Sequence, residues 1–274
     1  VEGNHVTGWD DPRMPTLVGA RRRGFTPEGF KLFSERIGVS KADSWIDYAT
    51  LEDSMREVLN VSALRRVAVL DPIKLIINNY SEEHEEDCLA PNHPLNETLG
   101  KRTLKLTKEL WIEREDFMAE PIEKYFRLYP GNQVRLRYGY IVTCTGFDKD
   151  NQGNVISVYC DYLPDTKSGT PGANSIKVKG NIHWLSTKHS INATVNQYDR
   201  LFKEEHPGNK TGNYLDDLNL DSLTTLKIRL EESCLSVTAG EQFQFERHGY
   251  FICDSNQQSI ITFNRTTTLR DTWQ

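Results

Sequence analysis

The sequence predicts a mainly β protein headed by an α-helical subdomain, with its strands closing into one or two barrels or sandwiches. Three observations carry this. The 274 residues are long enough for two domains. Apolar residues recur at helical spacing in the first part of the chain. Beyond about residue 80, short alternating runs separated by turn residues take over.

In the helical part, Thr26-Pro27-Glu28 reads as an N-cap followed by proline at the first helical position. Phe30, Phe33 and Ile37 continue that helix and Gly38 ends it. A second helix is expected to open at Ser40 or Asp43 and to include Trp45. A third is expected from near Thr50, with Leu51, Met55, Val58 and Leu59 on one face. The run Glu82-Glu83-His84-Glu85-Glu86-Asp87 reads as a solvated loop within 81–87. Strands are expected at Arg102–Leu106 and Leu110–Ile112. Gln133 to Tyr138 is expected to form another, placing Val134, Leu136 and Tyr138 on one face. The turn Asp150-Asn151-Gln152-Gly153-Asn154 before Val155–Tyr159 predicts a hairpin. Further strands are expected at 176–185, 192–198, 224–230, 243–253 and 259–264, with 164–175 a loop. No internal repeat is visible.

Composition is that of an ordinary soluble protein, 37% hydrophobic and 26% charged. No apolar run approaches the roughly 20 residues of a membrane helix. The opening Val1-Glu2-Gly3-Asn4-His5 has neither the basic nor the apolar region of a secretory leader, and it reads as the start of a piece of a longer protein. Cys88, Cys144, Cys160, Cys234 and Cys253 are scattered, without a C-x-x-C pair, which fits a reducing compartment. Sequons at Asn60, Asn96, Asn192, Asn209 and Asn264 point the other way, but such triplets are common by chance.

Seven dispersed histidines show no metal-ligand spacing, and no nucleophile elbow, phosphate loop or dinucleotide fingerprint is present. No residue is therefore assigned as catalytic or as a metal ligand, and no cofactor is assigned to this segment. The net charge of −6 disfavours a nucleic-acid partner, yet residues 17–41 carry Arg21, Arg22, Arg23, Lys31, Arg36 and Lys41 against Glu28 and Glu35. Such a basic face works locally, because screening limits each charge to about 8–10 Å. Residues 124–138 interleave Lys124, Arg127, Arg135 and Arg137 with Tyr125, Phe126, Tyr129 and Tyr138. Arginine forks match base edges and phosphates, and rings stack on unpaired bases. A barrel strand region with a charged outside and an aromatic inside reads the same way, so both alternatives stand on pattern alone.

Several blocks bear on the choice. Trp9-Asp10-Asp11-Pro12-Arg13-Met14-Pro15-Thr16 and Arg21-Arg22-Arg23-Gly24-Phe25 resemble the segment after the K-M-S-K-type loop of glutaminyl-tRNA synthetases. The resemblance continues through Val69-Leu70-Asp71-Pro72-Ile73-Lys74, Lys179-Gly180-Asn181-Ile182-His183-Trp184 and Tyr198-Asp199-Arg200-Leu201-Phe202. It ends in Phe243 to Phe251, Phe263-Asn264-Arg265-Thr266 and Leu269-Arg270-Asp271-Thr272-Trp273.

The resemblance implies a C-terminal part of such an enzyme, with tRNA for glutamine as partner and no membrane or DNA. It implies a cytoplasmic monomer, and an ATP-binding half, with Mg, that precedes Val1. It implies residues 1–66 as a helical subdomain, 67–121 with 200–274 as a proximal β-barrel, and 122–199 as a distal β-barrel. Arg65 and Gln244 stand where the family reads the middle anticodon uridine. Arg127 and Arg135 stand where it reads the third and first bases, with Arg247 close by. Lys124 and Phe126 depart from a Gln and a Lys of the family, and Phe126 offers a ring for stacking. Arg21, Arg22 and Arg23 are expected on the tRNA backbone. Two other readings stand beside this one: the same region of a glutamyl enzyme, and a β-barrel interaction module that does not bind tRNA.

Overall fold

The computed structural model describes residues 1–39, 41, 44–257 and 260–270. The chain is mostly β, with two barrel-like sheets, one nearly closed and one a half-barrel, and a small N-terminal helical region. It packs as two units. The first combines 1–65, 193–227 and 237–274, and the second combines 66–192 and 228–236.

In the first unit, helices α1 (Leu17–Arg23), α2 (Pro27–Ile37) and α3 (Tyr48–Ser62) start at side-chain caps. Thr16 accepts from the Gly19 amide, Thr26 from Gly29 and Asp47 from Ala49, each satisfying an amide that has no helical partner. Gly24 ends α1 in the left-handed region, φ 97°, and a Cβ there would lie 2.3 Å from Thr266 Oγ1. Only glycine satisfies both demands. Met55, Leu59 and Ala63 pack with Phe25 and Tyr250 into one core.

Strands begin immediately after α3. They are β1 (Leu64–Arg66), β2 (Ala68–Val69), β3 (Pro72–Ile77), β4 (Glu86–Pro91), β5 (Lys101–Leu106) and β6 (Glu109–Glu113). Next come β7 (Gln133–Leu136), β8 (Ile141–Lys149), β9 (Val155–Tyr162), β10 (Gly180–Ile182) and β11 (Leu185–Ser186). The last are β12 (Ser190–Tyr198), β13 (Leu223–Glu231), β14 (Gln242–Phe245), β15 (Gly249–Gln257) and β16 (Ile260–Thr267). In the first unit β14, β15 and β16 run antiparallel in turn, and β12 joins β16 in parallel. Phe245 stacks on Phe251 at 4.4 Å and meets Phe263 edge-on at 5.0 Å inside this sheet. The second unit holds a sheet in the order β10-β7-β8-β9-β3-β6-β11, with β4 and β5 as a separate hairpin. Leu75, Ile77, Leu110, Val134, Val158 and Trp184 are among the residues of its core.

The structure corrects several expectations. The change to β character comes at residue 64, not 80. Trp45 lies in non-helical chain, and the expected helix openings at Ser40 and Asp43 lie outside the described residues, as does Ser259 at the head of the strand 259–264. Glu86 and Asp87 start β4 instead of ending a loop. Tyr138 does not share a strand face with Leu136, because β7 stops there and Tyr138 turns at φ 65°. The stretch 176–185 divides between β10 and β11, and 243–253 is a hairpin broken at Glu246–His248. The segments 67–121 and 122–199, expected in different barrels, share a sheet, since β3 pairs in parallel with β9.

Candidate nucleic-acid interface

The second unit carries an open cleft of about 610 Å³, lined by Pro121–Ile122, Lys124–Phe126, Tyr129, Gly131–Gln133 and Lys177–Gly180. Three cations face it, Lys124, Lys177 and Lys179, together with the rings of Tyr125, Phe126 and Tyr129, and no carboxylate lines it among the described residues. The loop that supplies most of this wall is closed at its base, where Leu128 N–H donates to Asp116 O at 2.9 Å and Met118 N–H to Leu128 O at 3.0 Å. Lys124 sits inside it at φ 65°, a conformation that costs a lysine about 1–2 kcal/mol. The Tyr125 hydroxyl donates to Glu115 O, and Asn132 Nδ2 to Arg127 O, so the polar groups of the wall are tied back to main chain.

Lys177 and Lys179 reach this loop because β10 runs parallel to β7, with Gly180 opposite Val134. Gly180 permits the approach: a Cβ there would lie 2.2 Å from Phe126 O and 2.7 Å from Val134 Cγ1. Lys179 Nζ then stands 4.8 Å from the centre of the Phe126 ring, which is 48% exposed. A cation over an exposed ring with two further lysines suits a phosphate backbone and an unstacked base together.

Lys124 and Phe126 are therefore brought together. Arg127 is not in this wall: its Nη1 is 2.8 Å from Glu115 and 3.2 Å from the buried Asp116. Arg135 is not in this wall either: it donates to Thr166 O at 2.7 Å and to Ala173 O, so it fastens the 164–175 loop. Burial away from solvent pushes its pKa down.

In the first unit, Arg65 is buried and donates to Ala63 O and to Asn60 O and Oδ1, which caps the C-terminal end of α3. Gln244 Nε2 donates to the Tyr250 hydroxyl at 2.8 Å, and that hydroxyl donates to Asn60 Oδ1 at 3.3 Å. Arg65 and Gln244, far apart in sequence, thus meet on Asn60. Gln244, Tyr250 and Asn60 also line an open cleft of about 750 Å³ with Arg36, Arg56 and Glu57. Arg247 holds φ 73° in the β14–β15 turn. Of the three α1 arginines, Arg21 is exposed, Arg22 is paired with Asp10 and Asp254, and Arg23 is buried against Glu52 and Thr266 O. Lys177 and Lys179 were not singled out as site residues. The alternation Ile176-Lys177-Val178-Lys179 is the one local signal that marks them.

Comparison with known proteins places these features in context. A family model described as tRNA synthetases class I (E and Q), anti-codon binding domain, matches residues 63–163, and a second of the same description matches 181–254. The chain is 56% identical over 275 residues to a glutamine–tRNA ligase of Cupriavidus metallidurans, covering all of this chain and 47% of the relative. It is 54% identical over 275 residues to that of Ralstonia pickettii, covering 48% of the relative. For Nitrosomonas europaea the identity is 52% over 276 residues and 50% of the relative is covered. Both of these matches also take in the whole of this chain. The chain thus spans about half the length of the curated relatives it matches.

Proposed function

The chain belongs to the class I (E and Q) tRNA synthetase family, within its anticodon-binding part, and from that premise we propose that it grips tRNA for glutamine and reads the anticodon. The observation that carries this is the cleft at Lys124, Phe126, Lys177 and Lys179, which offers three cations and three rings with no carboxylate in its lining among the described residues. The rings stack on bases freed from the duplex, and the lysines neutralise the phosphates between them. Gln244 supplies an amide that both donates and accepts, as a uracil edge requires. Arg127, Arg135, Arg65 and Arg247 take part once RNA displaces their present acceptors, and Arg21 to Arg23 face the tRNA backbone.

In this reading residues 1–66 meet the inside of the tRNA L-shape, and the β sheets formed by residues 67–274 hold the anticodon stem and loop. Ligation of glutamine to tRNA with ATP and Mg belongs to the longer protein, a cytoplasmic monomer, and this segment alone catalyses neither ATP–pyrophosphate exchange nor aminoacylation. The binding test is affinity for glutamine tRNA against an unrelated RNA across a salt series. Contact with about four to six phosphates gives a log K versus log salt slope of roughly −3 to −4. Lys177→Ala and Lys179→Ala should each flatten it by about 0.7. A slope near zero for the unaltered chain rejects the nucleic-acid reading.

A further inference from the structure

The first unit holds a second cavity, of about 360 Å³, whose lining includes Arg23, Arg200, Arg265, Tyr198, Glu52 and Thr267. Arg265 and Thr267 lie two apart on β16 and so point to the same face of the sheet. The Arg265 guanidinium has no hydrogen bond or ion pair among the described residues. The Thr267 hydroxyl is buried and has no partner either. Arg23 reaches the same space from the end of α1, under the rings of Tyr48 and Tyr198 at 5.8 and 6.0 Å.

Buried hydroxyls are almost always satisfied, so the unmatched Thr267 Oγ1, beside the half-buried Arg265 guanidinium on one cavity wall, marks a place for an acceptor. The cavity carboxylates do not supply it. Glu52 is taken by Arg23 at 3.3 Å and Arg56 at 3.6 Å. Asp199 and Asp221 are exposed, and Asp199 accepts from the Arg200 amide. Burial and the neighbouring Arg23 charge push the Arg265 pKa down, against the weaker opposite pull of Glu52 and Asp199.

We propose that this cavity is an oxyanion site of the phosphate class, with Arg265, Arg23 and Thr267 as its donors, separate from the cleft at Lys124 and Phe126. The oxyanion is either a free phosphate or one phosphate of a bound RNA, and the two are told apart by experiment. The first arm measures thermal stability of the chain in inorganic phosphate against chloride at equal ionic strength. At phosphate ten times above Kd, Tm should rise by about 3–6 °C in the unaltered chain. Arg265→Gln should abolish the rise, Arg265→Lys should retain part of it, and Thr267→Val should weaken it severalfold.

The second arm measures tRNA affinity of Arg265→Gln. If the site takes an RNA phosphate, affinity drops equally for tRNAs of any anticodon and the salt slope flattens by about 0.7–0.9. If it takes free phosphate, tRNA binding is unchanged while the phosphate response is lost. Should Arg265→Gln fail to fold, Thr267→Val serves in both arms. The inference is overturned if phosphate stabilises no more than chloride and the variants leave tRNA affinity and salt slope untouched. The phosphate arm stands even if the chain proves not to bind tRNA.

Discussion

Lys124, Tyr138 and Arg247 occupy the left-handed region at φ 65°, 65° and 73°, where a Cβ is unwelcome. Strain of this kind persists where a side chain is wanted for something other than the fold. Lys124→Gly tests this directly, because the side chain is 82% exposed and its ion-pair neighbour is Glu123 at 3.9 Å. Relief of strain, less the entropy that glycine adds to the unfolded chain, should stabilise by about 0.5–1 kcal/mol. Tm should rise while tRNA affinity falls; a fall in both would mean the lysine serves the fold. Gln244 allows a sharper test, since it lines the 750 Å³ cleft and is held by Tyr250. Gln244→Ala should cost about 1–3 kcal/mol for tRNA with uridine at the middle anticodon position and little for a tRNA changed only there. Equal losses for both would make Gln244 structural.

Among the elements, the end of β13 is fixed to β5 by a buried pair: Arg102 Nε lies 2.7 Å from Glu231, a carboxylate only 1% exposed. Glu231 also accepts from the Val67 amide and approaches Arg66 at 3.3 Å. Arg102→Met removes the nearer of the two cations on that buried carboxylate and should cost about 3 kcal/mol. Thermal unfolding should show it as a loss of about 6–12 °C. Adding Glu231→Gln should restore part of the loss, and no recovery would place the damage in packing instead of charge. Helix α2 was legible because Thr26, Pro27 and Gly38 sit at its ends and Phe30, Phe33 and Ile37 keep helical period. Strand β4 was not, since Glu86 and Asp87 open it and its inward residues, Cys88 and Ala90, are too small to mark an apolar face. Strand β3 was hidden because Ile76 faces outward between Leu75 and Ile77, which leaves an apolar run without alternation. The cleft was half legible: Lys124 and Phe126 stand out in sequence, while Lys177 and Lys179 join them through a parallel strand pairing that only the folded chain contains.

Over the whole molecule, each unit holds a carboxylate kept ionised by its neighbours. Burial alone would raise the Glu86 pKa, but hydrogen bonds from Lys167, Tyr140 and Tyr80 and the Lys167 charge bring it down to about 2. Burial likewise opposes ionisation of Asp11, and Arg13 with the Thr7 and Arg13 amides holds it below the ordinary carboxylate range. A depressed folded pKa gives stability that is complete above the unfolded value, 4.5 for Glu86, and is lost as pH falls through the folded one. Denaturant midpoints should therefore drop between about pH 4.5 and pH 2. Glu86→Gln should lower the midpoint at pH 7 and shrink the drop; an unchanged pH profile would show that Glu86 does not drive it.

The division of the first unit among 1–65, 193–227 and 237–274 bears on how the protein is made. Helices α1 to α3 emerge before the rest of this unit, and Tyr250, which completes their core, follows only after the 127 intervening residues 66–192 and further chain. At about 5–20 residues per second, those 127 residues alone take the ribosome roughly 6–25 s. Through that interval Phe25, Met55 and Leu59 have no strand to cover them, whereas the second unit has nearly all its sequence in one stretch. Growing chains are therefore vulnerable to chaperones, proteases and one another at the helices, long before the finished protein shows any weakness there.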